Sequence, residues 1–172
     1  MKHTVHHING TLGHVDVLLN NAGITYFKNF LETSADEFDN AIATNLRGTF
    51  LATKSVLPGM LQAKSGTVIN ILSYAVKQVY TQSAAYAASK AGIEAMMNVL
   101  RAEVRPQGIR IVNVYPGAVR TPIWSPVQQE KSGSQMLHPG DLADLIYQVS
   151  QQPPHLMVEE LVLRPQGGDL HE

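Results

Sequence analysis

The stretch VDVLLNNAG, residues 15–23, decides how this 172-residue chain is built. Residues 15–19 form a short apolar run rich in β-branched side chains, and the N-N-A-G that follows is turn-forming, so the segment reads as a buried strand running into a tight turn. Similar runs recur downstream: TVINIL (67–72) after Lys64-Ser65-Gly66, IRIVNVY (109–115) after Gln107-Gly108, and ELVL (160–163) after a Pro-Pro turn. Between them the periodicity becomes helical. Ser34 with Glu37 three positions on makes a capping-box pattern and opens a long helix over 38–63, whose far end Pro58 bends. A second helix is expected over 84–104, stopped by Pro106 and Gly108. A third, shorter one starts near Pro139-Gly140-Asp141 and ends before Gln152.

Strands alternating with helices of this length indicate βαβ units, hence a single α/β domain, Rossmann-like, with a parallel sheet flanked by helices. Ligands of such sheets gather at the carboxyl ends of the strands. The segment WSPVQQEKSGSQMLH, 124–138, shows no periodicity and reads as a long loop, a candidate substrate lid.

Composition narrows the function classes. Apolar residues make up 44% and charged residues 16%, ordinary for a globular domain long enough to bury a sizeable core without staples. A formal net charge of −1 with no basic run offers no electrostatic footprint for nucleic acid or an anionic membrane. Cysteine is absent, which excludes disulfides and thiolate chemistry. No apolar run approaches the length of a membrane span, and MKHTVHHING lacks the apolar core of a signal peptide, so the expected location is the cytoplasm. His3, His6 and His7 could share a helix face and imitate a metal site. No carboxylate or cysteine accompanies them, and no metal is expected.

Chemistry concentrates in YAASK, 86–90. A helix repeats every 3.6 residues, so Tyr86 and Lys90 stand one turn apart on one face, with only small side chains between them. An ammonium beside a phenol favours the phenolate, which brings a group that normally titrates near ~10 toward proton exchange at neutral pH. Further polar groups fall beyond the same sheet rim: NNAG after the first strand, Asn45 in the first long helix, Ser73 closing the second strand, and PGAVRTP, 116–122, leaving the third. Taken singly, Ser73 reads as a turn former, Asn45 as a helix polar residue bonded to backbone, and Thr121 as a cap. Tyr80 and Trp124 are candidates for the substrate pocket wall or for packing, and Met96 and Met97 for the core.

NNAG, NLRG with Asn45, Ser73 thirteen residues before Tyr86, YAASK and PGAVRT occur in the order and spacing of the short-chain dehydrogenase/reductase family, which the chain resembles from about Leu12 to Arg164. The closing PPHLMVEELVLRP further resembles the subgroup containing 3-hydroxy-acid dehydrogenases. The resemblance implies an oxidoreductase that interconverts a small-molecule carbonyl and alcohol with NAD or NADP. It implies Tyr86 as general acid/base, Lys90 as its electrostatic partner and holder of the ribose hydroxyls, Ser73 as donor to the substrate oxygen, and Asn45 as anchor of a relay water. Asn21, Ala22 and Gly23 would approach the adenosine part of the cofactor, and Pro116, Gly117, Val119 and Thr121 would line the nicotinamide. Homo-oligomers would form through the two long helices.

No G-x-G-x-x-G or G-x-x-x-G-x-G follows a strand here, since Gly10 and Gly13 precede one. The resemblance thus implies a chain that lacks the first half of the usual fold and starts in the helix before the family's fourth strand. Strand 15–19 is then expected at a bare sheet edge, open to a β-augmenting partner, and cofactor affinity is expected to be weakened. The alternative expectation is a non-catalytic remnant serving as an oligomerisation or interaction module.

Overall fold

The computed structural model describes residues 2–170. The side chains of His3 and His6, and with them the histidine cluster considered as a metal site, lie outside the described residues. Four parallel strands, β1 (Val17–Asn20), β2 (Gly66–Ile71), β3 (Ile109–Pro116) and β4 (Glu160–Leu163), lie side by side in chain order. Helix α1 (Lys2–Leu12) precedes β1, α2 (Ala35–Ala41) and α3 (Gly48–Ala63) connect β1 to β2, and α4 (Ala84–Val104) connects β2 to β3. Helices α5 (Pro126–Ser132) and α6 (Pro139–Ser150) lie between β3 and β4.

Alternation of side chains sorts the strands onto two cores. Val68, Ile111 and Tyr115 face α1, α3 and α4, meeting Val56, Met60, Ile93 and Met97, whereas Ile69, Val112 and Val114 face α6 through Leu142, Ile146 and Val149. Met97 is core and Met96 packs against it, as expected.

One row of asparagines crosses the sheet, with Asn20, Asn70 and Asn113 paired in register. Asn20 Nδ2 donates to Asn70 Oδ1 at 2.9 Å, Asn70 Nδ2 to Asn113 Oδ1 at 3.1 Å, and Asn113 Nδ2 to Asn98 Oδ1 on α4 at 3.1 Å. Slipping any strand by one residue would turn its amide to the opposite face and orphan both neighbours, so the ladder fixes the register that carries the strand ends to a common rim.

Several expectations need correction. Residues 15–19 are not a buried strand: β1 starts at Val17, pairs only with β2, and leaves Val17 and Leu19 41% and 45% exposed. This is the bare-edge position expected for the strand. The helix read over 38–63 starts at Ala35, where Ser34 and Glu37 do form a capping box, and is interrupted by a π-helical turn, Ile42–Arg47. Such a turn inserts an extra residue and re-aims the side chains on it. Residues 124–138 are not an irregular loop. They contain α5, with Pro126 in its first turn and a Ser125–Gln128 capping box, followed by a 3₁₀ turn. Seven residues are too few for a helical period to stand out in the sequence.

Candidate active site

Helix α4 buries Ala85, Ser89, Ile93 and Met97 as a seam at four-residue spacing. The helix carries Tyr86 and Lys90 to the cavity at the carboxyl rim, where Lys90 meets the last residue of β2. Lys90 is 4% exposed. Its ammonium stands 5.6 Å from the centre of the Tyr86 ring and donates to the carbonyl of Ile71, the last residue of β2, at 2.6 Å. Among the described residues no carboxylate lies within ion-pair distance of it, and burial pulls its pKa from the usual 10.5 to about 8.

Ser73 caps a single 3₁₀ turn just past β2 and accepts from Ala75 N–H at 3.1 Å. Ser73 lies close enough to Tyr86 to favour the phenolate, but burial outweighs this and pushes the phenol above its ordinary range. In this arrangement desolvation dominates at Tyr86, and the Lys90 ammonium is engaged with the Ile71 carbonyl. A protonated phenol, a serine hydroxyl on the same cavity wall and a buried cation one turn below can deliver a proton to a bound oxygen and stabilise the charge left behind.

Asn45, fully buried on the π-helical turn, lies behind this group. Its Oδ1 accepts from Ile24 N–H at 2.8 Å, and its Nδ2 donates to the Ile24 carbonyl and the Ser89 hydroxyl, both at 2.9 Å. The amide expected to anchor a relay water has both N–H groups engaged, one on the exit of β1 at Ile24 and the other on Ser89 of α4. That clamp brings Gly23 over Lys90, where a Cβ would stand 3.4 Å from Nζ and 3.5 Å from Asn45 Oδ1.

Ser73, Tyr86 and Lys90 line a cavity of about 970 Å³. Asn21 and Gly23 enter its wall from the exit of β1, and Pro116, Gly117, Val119 and Thr121 from that of β3. Ala22 and Asn45 do not line it. Tyr80 and Trp124 both do, and Trp124 stacks on Phe27 with ring centres 5.1 Å apart and planes 17° apart. The sequence reading missed Phe27 and Asp169 on this wall. An aromatic soon after NNAG was a usable hint for Phe27. Nothing local to Asp169, in the turn after β4, pointed to it.

The geometry agrees with three comparisons. A family model described as short chain dehydrogenase matches residues 1–132. The sepiapterin reductase of Chlorobaculum tepidum is 36% identical over 166 residues, which cover 96% of this chain and 68% of that protein. A metagenomic short-chain oxidoreductase solved in complex with NADP is similar at a TM-score of 0.80 and 30% identity, covering 96% of this chain and 68% of its own. An alcohol dehydrogenase from the archaeon Thermococcus sibiricus, complexed with 5-hydroxy-NADP, is similar at a TM-score of 0.85 and 26% identity, with 96% and 69% covered. The chain thus spans about two thirds of the length of these proteins. Sheet topology, the cluster at its carboxyl rim and a family match over well over half of the sequence agree: the chain belongs to the short-chain dehydrogenase/reductase family.

Proposed function

We propose that this protein interconverts a carbonyl and an alcohol on a small molecule, using NAD or NADP, with Tyr86 as the general acid/base. The observation that carries the proposal is the convergence of Ser73, Tyr86 and Lys90 on one cavity wall, with the Lys90 ammonium 5.6 Å from the centre of the phenol ring.

The residues fit the nicotinamide-ribose end of such a cofactor. Gly23 leaves open the space a Cβ would fill beside Lys90, and the Lys90 ammonium and Tyr86 phenol offer donors to ribose hydroxyls. Pro116, Gly117, Val119 and Thr121 form the facing wall. When bound, the nicotinamide supplies or accepts the hydride at the carbonyl carbon. In reduction the Ser73 hydroxyl donates to the substrate oxygen as negative charge develops there, and Tyr86 passes its proton to that oxygen. The resulting phenolate is stabilised by the Lys90 cation. In oxidation the proton moves the other way. That two of the similar structures carry NADP or 5-hydroxy-NADP supports a nicotinamide cofactor.

Homo-oligomerisation through the long helices is part of the proposal. It is supported by Phe50 on α3 and Val99 on α4, which are 43% and 60% exposed. No helix among the described residues is long and apolar enough to cross a membrane.

The test is a titration of the purified protein with NADH and with NADPH, followed by nicotinamide fluorescence, and then turnover of a panel of small aldehydes and ketones. Enhanced fluorescence with at least one cofactor, and turnover lost in Tyr86→Phe, is the expected result. A protein that binds neither cofactor and reduces nothing would refute the proposal.

A further inference from the structure

Asp169 is a carboxylate only 8% exposed, in the turn after β4. Gly168, at φ 93°, bends the chain there, and its N–H donates to the Pro165 carbonyl at 3.0 Å. Asp169 is thereby turned back over the exit of β3. Its Oδ1 accepts from Ala118 N–H at 3.2 Å, and its Oδ2 from the Tyr80 hydroxyl at 2.7 Å and from Arg164 Nε at 3.3 Å. The approach is so close that a Cβ on residue 117 would stand 2.5 Å from Asp169 Oδ1 and 3.1 Å from Pro165 Cδ. Only glycine fits there without displacing the turn. Arg164 in turn lays its guanidinium 4.3 Å from the centre of the Tyr74 ring, the residue directly after Ser73.

One buried carboxylate therefore joins three segments that meet at the cavity: the turn after β4, the Gly117–Ala118 backbone, and the stretch after Ser73 that carries Tyr74 and Tyr80. Tyr80, Gly117, Ala118 and Asp169 itself all line the cavity. A charged acceptor shared by donors from separate segments holds each of them more stiffly than neutral contacts would, and removing it releases all of them together. Both oxygens accept bonds from the protein, so Asp169 acts through its neighbours and not on the reacting atoms.

We propose that Asp169 is a positioning residue that sets the distance between the wall formed by Gly117 and Ala118 and the wall carrying Tyr80, and so the fit of the substrate carbonyl against Tyr86 and Ser73. The proposal rests on the oxidoreductase reading.

The test uses Asp169→Ala, Tyr80→Phe and the double variant of the whole chain, read by amide hydrogen exchange at Ala118 and by steady-state kinetics. Asp169→Ala is expected to speed exchange at Ala118 by about tenfold or more. It should also lower kcat by about ten- to a hundredfold, the order of loss for a misplacement near 1 Å. Tyr80→Phe keeps the ring and removes only the donor. It should lower kcat less, and the double variant should fall short of the product of the two effects, as for groups sharing one contact. Unchanged exchange at Ala118, or unchanged kcat despite faster exchange, overturns the proposal. If Asp169→Ala does not fold, a Tyr80→Phe variant with wild-type kcat overturns it. A wild-type chain that reduces nothing sinks the oxidoreductase reading instead, and exchange at Ala118 still decides whether Asp169 holds the loop.

Discussion

Lys90 stands one helical turn below Tyr86, its ammonium 5.6 Å from the centre of the phenol ring, yet it spends its hydrogen bond on the Ile71 carbonyl at 2.6 Å. The contact pins a flexible side chain at the end of β2 and holds a positive charge beneath the phenol without bonding to it. Burial works on the two groups in opposite directions, lowering the lysine to about 8 and raising the tyrosine. At neutral pH the resting pair is therefore a cation beside a protonated acid, the state required to protonate a carbonyl.

A pH profile follows from this arrangement. The competent form carries protonated Lys90, which predominates below about 8 and is lost as pH rises through that value. The kcat/KM for carbonyl reduction should be level toward neutral pH and fall above about 8. Lys90→Arg, charged throughout this range, should lack that descending limb whatever its absolute rate. A wild-type profile level up to pH 10 would contradict the assignment.

The same burial costs stability. The folded pKa of Lys90 lies below its unfolded value, so charge burial opposes folding fully below about 8, and the penalty fades as pH rises toward 10.5. A shift of this size corresponds to about 3 kcal/mol, offset by roughly 1 kcal/mol for the bond to Ile71. Lys90→Met should therefore be more stable than wild type by about 2 kcal/mol at pH 7 while losing turnover, and the gain should shrink by pH 10. Urea unfolding at the two pH values measures both.

Ser73→Ala removes the hydroxyl proposed to donate to the substrate oxygen and the neighbour that favours the Tyr86 phenolate. A kcat loss of about a hundredfold or more is expected, typical of removing one such donor. Stability should drop by only about 1 kcal/mol, for the cap to Ala75. Loss of folding and of rate in equal measure would mean that the residue serves as a turn former alone.

Asn45→Ala would leave the Ile24 N–H and carbonyl unpaired against the π-helical turn. The expected cost is about 3 kcal/mol, since each buried polar group left without a partner costs roughly 1–3 kcal/mol. Thermal or urea unfolding checks this, and a loss under about 1 kcal/mol would show that the exit of β1 is held by other contacts.

Trp124 is the only tryptophan in the chain and lines the cavity while stacked on Phe27. Its emission should be quenched as NADPH binds, and Phe27→Ala should shift the emission of the free protein to longer wavelength by opening the indole to water. Emission indifferent to both changes would separate Trp124 from the site.

Local physics made much of this protein readable in one dimension. The 3.6-residue period alone puts Tyr86 and Lys90 on one face of α4, the Ser34–Glu37 spacing marks a helix start, and the apolar runs ending in turn residues locate all four strands to within two residues. These features depend on neighbours a few positions away, so sequence suffices to specify them. Other features answer to partners far along the chain. Asn20, Asn70 and Asn113 find one another only because three strands come into register, and Asn45 on the π-helical turn meets Ile24, 21 residues away, only in the folded chain. Asp169 meets Ala118, 51 residues away, and Tyr80, 89 residues away, only once the sheet has assembled. Burial, too, belongs to the assembled structure: the same tyrosine and lysine would keep ordinary proton affinities on a solvated helix, and it is the sheet packed against them that raises one and lowers the other.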